Sequence, residues 1–85
     1  MKTNKVLGAT IIKVVENQMR SNKPPETKQT YNRLLKLGIP VTEVKKHIGQ
    51  CVAIEIFNVM KHHEPFNEKR FINNLNKLPG KPFDD

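Results

Sequence analysis

Four residues able to serve as acid, base, nucleophile or metal ligand recur at every fourth position in the middle of the chain: Glu43, His47, Cys51 and Glu55. On a helix that spacing stacks side chains into a slowly drifting ridge. An imidazole, a thiol and two carboxylates are the donor types a borderline cation such as zinc accepts, and Glu16, His62 or His63 could complete the shell. Ordinary roles compete with this reading. One helix supplying three ligands is geometrically awkward, and neither a zinc-finger spacing nor His-Glu-x-x-His is present. Glu43 and His47 read better as a pair one turn apart on a solvated flank, Cys51 as a small hydrophobe at the core edge, and His62-His63 as a polar helix end facing the negative pole of the dipole. No metal and no cofactor are therefore expected.

Catalysis has even less to build on. Cys51 with His47 one turn earlier is a nucleophile and base in outline, but no orienting Asp or Asn at a turn and no glycine-rich oxyanion loop accompany them. The four glycines lie far apart, which leaves no phosphate-binding loop and no dinucleotide fingerprint. The expectation is a protein that is not an enzyme.

Charge offers a second kind of chemistry. Fifteen Lys and Arg against eight Asp and Glu give a formal charge of +7, and an isoelectric point near 9.8 favours polyanionic partners. Thr42, Lys45, Lys46, Gly49 and Gln50 face away from the apolar stripe of their segment, the kind of set that reads a major groove, and the segment before it makes a helix-turn-helix outline. Nucleic-acid binding through Thr42, Lys45, Lys46 and Gln50 is accordingly the alternative reading. Three features count against it: the segment is long and apolar for a recognition helix, lysines occur in every segment, and surface aromatics for stacking are missing. Abundant Lys, Asn and Ile also match the coding bias of an AT-rich genome.

The elements that must position these residues are set by punctuation at Ser21 to Pro25, Gly38 to Pro40, His63 to Pro65 and Pro79 to Pro82. Apolar spacings of three and four between these breaks predict four helices, at about 4–21, 25–37, 41–62 and 67–78. Leu7, Ile11, Val14, Val15, Gln18 and Met19 form the stripe of the first, although the β-branched run Thr10 to Val15 also suits a strand. Pro25 fits a first turn with Glu26 beside the dipole; Tyr31, Leu34, Leu35 and Leu37 are the apolar side, and Gly38 ends the helix. The third segment has the longest stripe: Val41, Val44, Ile48, Val52, Ile56, Val59 and Met60, with Ile54 and Phe57 flanking. Asn67 is the N-cap of the fourth, Phe66 and Phe71 are spaced as a hydrophobic staple, and Phe71, Leu75 and Leu78 face inward.

Eighty-five residues allow one modest core. The expectation is an all-α, bundle-like single domain over 1–79 with a tail at 80–85, in which the third helix is the element the others cover. A lone Cys51 without a disulfide framework, no signal peptide and no long uncharged apolar run point to a cytoplasmic protein without a membrane span.

The strings PPETKQTYNRLLKLGI, KKHIGQCVAIEIFNVMK and EPFNEKRFINNLNKLP resemble a bacterial family of small proteins classed as a domain of unknown function. The likeness runs from about Ile12 to Pro79, through Glu16-Asn17-Gln18, the Pro-Pro-Glu start, the Gly turn, the His-x-Ile-Gly step and the closing Pro-Phe-x-x-x-Arg-Phe. Pro40, where a capping Ser-like residue is expected, and Val44 and Cys51, at Ala-type positions, depart from the pattern. The resemblance implies a fold neighbourhood and no activity. Good core grammar without catalytic grammar makes a non-enzymatic accessory or protein-interaction module the leading expectation. Its partner is another protein or a second copy, with Ile54, Phe57 or the Phe83 tail buried in a homodimer.

Overall fold

The computed structural model describes residues 2–80, with side chains from Gly8 onward. The 81–85 tail with Phe83, and the side chain of Leu7, lie outside the described residues. Four helices follow one another: α1 (Lys2–Ser21), α2 (Pro25–Lys36), α3 (Val41–His62) and α4 (Glu68–Lys77). The β-branched run in α1 is helical, because Ile11 and Val15 then fall on one side and are buried.

Each break has a local cause. After α1, Asn22 takes a positive φ of 56° and the Lys23 N–H returns to the Gln18 carbonyl at 3.1 Å, the six-to-one bond of a Schellman end. Gly38 does the same after α2 with φ 89°, where a side chain would be strained. Pro40 precedes α3 without any side-chain cap. His63 closes α3 in the left-handed region, its N–H bonded to the Val59 carbonyl at 3.1 Å. At α4 the Asn67 side-chain oxygen accepts from the Arg70 N–H at 2.9 Å, and Phe66 meets Phe71 edge-on with centroids 5.4 Å apart.

Helices α2 and α3 each pack on all three other helices, while α1 and α4 flank that pair without touching among the described residues. The core consists of Ile11, Val15, Leu34, Val44, Ile48, Cys51, Val52, Phe71, Leu75 and Leu78. All three inward residues expected of α4 are in it. The α2 stripe differs from expectation: Leu37 is 60% exposed, because the helix ends at Lys36, and the buried positions are Thr27, Thr30 and Leu34. Thr27 is accommodated by donating its hydroxyl to Gln18 Oε1 of α1 at 3.0 Å. Arg33, also on α2, donates to the Leu75 and Leu78 carbonyls at 3.0 and 2.8 Å and so caps the end of α4.

The α3 stripe is buried only in its middle. Val44, Ile48, Cys51 and Val52 are enclosed, whereas Val41, Val59 and Met60 are exposed, since the helix is longer than the partners that cover it. Gly49, expected among the outward residues, is buried against α1, where an added Cβ would stand 3.1 Å from Ile11 Cγ2.

Candidate interaction surface

Helix α3 presents different chemistry on its different sides. Toward α4 it carries a buried carboxylate. Glu55 is fully enclosed; its Oε2 accepts from Arg70 Nε at 2.6 Å, while Oε1 accepts from Arg70 Nη2 at 3.0 Å and from the Asn67 backbone N–H at 2.9 Å. This is a fork-to-fork ion pair plus one main-chain donor, so each carboxylate oxygen has a partner. The hydrogen bond to Glu55 raises the already high proton affinity of the Arg70 guanidinium, with the Glu55 and Glu64 charges adding to it. Glu64 stands 3.9 Å from the same guanidinium. Arg70 comes fifteen residues after Glu55, and no spacing rule connects the two in the sequence.

Cys51, one turn before Glu55, is enclosed and lies 3.9 Å from the His47 carbonyl. Burial pushes its thiol up to about 12, with the Glu55 charge acting in the same direction against the backbone hydrogen bond. At neutral pH it is a neutral core side chain rather than a thiolate nucleophile. Glu43 is exposed and pairs with Lys46 at 3.7 Å, where the sequence suggests His47. Glu16 accepts from Lys45 at 2.9 Å, and His62 and His63 are exposed at the helix end. The candidate metal set thus divides between core, solvent and existing ion pairs, and among the described residues no three His, Cys, Asp or Glu side chains converge on one point.

Of the residues considered for nucleic acid, Thr42, Lys46 and Gln50 are exposed, while Lys45 is half-buried and tied to Glu16. An open groove of about 390 Å³ runs between α1 and α3, lined by Gly8, Ile11, Ile12, Gly49 and Ala53 with Lys46 and Gln50 at its edge. Its polar groups sit at the rim, which offers nothing convergent for a reacting molecule.

The remaining flank of α3 lies between the side covered by α1 and the side covered by α4. It carries Gln50, Ile54 and Phe57, and Phe57 is 57% exposed with the Lys61 ammonium 5.2 Å from its ring centroid. Met60, 71% exposed, continues the apolar surface toward the end of the helix. The flanking positions Ile54 and Phe57 were legible in the sequence; the exposure of Met60 and Val59 was not, because a stripe does not reveal how far its cover extends. No helix among the described residues is long and apolar enough to cross a membrane. No family model matches the chain, and no curated protein and no solved structure matches it.

Proposed function

We propose that the chain is a non-enzymatic interaction module that presents the outward flank of α3 to its partner. The supporting observation is a contrast within one helix: the middle of its inner side is closed, with every buried side-chain polar atom among the described residues partnered, while Phe57 stands in solvent on the outer flank and Met60 is exposed at the overhanging end of the stripe. A solvent-exposed aromatic ring next to a half-buried aliphatic side chain, with charged residues around them, is the kind of surface an association site uses. The buried thiol and the fully engaged Glu55 leave the interior no reactive group to offer, which favours binding over catalysis.

The test is affinity capture with the tagged full chain and with Phe57→Glu, each treated with nuclease, followed by mass spectrometry. Proteins retained by the parent and lost from Phe57→Glu support the reading; identical profiles remove it. Nucleic acid that co-purifies without nuclease and disappears in Lys46→Glu would shift the assignment to polyanion binding.

A further inference from the structure

The partner of this flank can be specified, on the reading above that α3 is the docking helix. Glu43, His47, Gln50, Ile54, Phe57 and Lys61 follow one another at intervals of four, three, four, three and four. That alternation is the heptad spacing of a helix seam that meets another helix along its length. The seam runs on the flank that α1 and α4 leave open: Glu43, Gln50, Phe57 and Lys61 are exposed, and His47 and Ile54 are half-buried.

The seam is complementary to itself in one orientation only. With a two-fold axis across the helix at position 52, residues equally far from it on either side meet. Glu43 and Lys61 are each nine residues away, His47 and Phe57 five, and Gln50 and Ile54 two. Antiparallel pairing therefore sets each Glu43 against the other copy's Lys61, one ion pair at each end of a seam about 27 Å long. Phe57 packs over the other copy's His47 and Ile54 against its Gln50, so each apolar side chain rests on an amphipathic partner on either side of the axis. Parallel pairing would bring Glu43 onto Glu43 and Lys61 onto Lys61, which like-charge repulsion opposes. The contact Glu43 makes within its own chain, to Lys46 at 3.7 Å, joins two exposed side chains and is weak competition.

We infer that the flank binds a second copy of the same chain, forming an antiparallel α3–α3 homodimer with isologous Glu43–Lys61 ion pairs at its ends and Phe57–His47 and Ile54–Gln50 pairs between them. Sedimentation equilibrium of the full chain over a wide concentration range tests it. The expected result is a monomer–dimer equilibrium that Phe57→Ala weakens roughly tenfold or more. Glu43→Lys and Lys61→Glu each weaken it, and the combined Glu43→Lys/Lys61→Glu chain returns to about the parental affinity, a rescue that only the antiparallel arrangement allows. The substituted positions are exposed, and unchanged circular dichroism of each variant confirms that the helices persist. A monomer at every concentration overturns the inference, as does a dimer indifferent to Phe57→Ala or one in which the double substitution is no better than the singles. A monomeric chain that still loses its captured proteins in Phe57→Glu removes the second copy but keeps the docking flank. A dimer insensitive to Phe57, with capture profiles equally insensitive, removes both.

Discussion

Among the described residues, two ion pairs tie α3 to the neighbouring helices, and they are alike in length but not in setting. Lys45 reaches Glu16 of α1 at 2.9 Å, with side chains 25% and 43% exposed. Arg70 of α4 reaches Glu55 at 2.6 Å, and there the carboxylate is wholly enclosed. In the first pair water competes for both charges, so little is gained by pairing and little is lost by parting. In the second the carboxylate has already surrendered its water, and stability depends on every replacement donor staying in place. Proximity of charges thus says little until the burial of each is known.

The comparison is broken most directly at Glu55. Glu55→Ala strands the Asn67 N–H, opens a hole beside Cys51 and should lower unfolding stability by about 3 kcal/mol in urea titrations. Glu55→Gln keeps an acceptor for Asn67 and should lose clearly less; equal losses would mean that the charge, rather than the hydrogen bonding, matters most. A second test uses the thiol that shares this enclosure. The Cys51 pKa is raised in the folded chain, from 9.0 to about 12, so above pH 9 the unfolded chain gives up a proton that the folded chain retains. Stability is therefore full below pH 9 and declines as pH rises toward 12, by about 1 kcal/mol between pH 8 and pH 10. Cys51→Ala should flatten that alkaline slope when unfolding is followed by circular dichroism, and an unchanged slope would assign it to other groups. The smallest effect belongs to the exposed pair: Lys45→Ala should cost about 0.5 kcal/mol, and the difference should vanish in 1 M salt, where the Glu55→Ala deficit persists.

The sequence carries the helices well because their boundaries are local. Asn67 with Phe66 and Phe71, Pro25 with Glu26, and Gly38 are each settled by the few residues around them. What the spacing cannot reveal is how a neighbour from elsewhere in the chain completes an environment. Glu55 is visible as one step of a four-residue ridge, and on that evidence it is a ligand candidate; only Arg70, brought in by the α3–α4 turn, makes it a buried anchor. Thr27 and Thr30 belong to no apolar stripe, yet both are buried, Thr27 with its hydroxyl donated to Gln18 of α1. Leu37 and Met60 fail in the opposite sense, since an apolar residue at the end of a stripe is buried only if some other element reaches that far.

Arg33 and Glu55 grip the two ends of α4, although neither belongs to it. At ten residues, α4 is too short to persist alone. Holding its last carbonyls from α2 and the N–H of its N-cap residue Asn67 from α3 means that neither end can fray without releasing a charged group from its partner. Amide protons in this segment should therefore exchange with deuterium at the pace of the molecule's collective opening, so that a segment expected to be the first to loosen behaves as part of one cooperative unit.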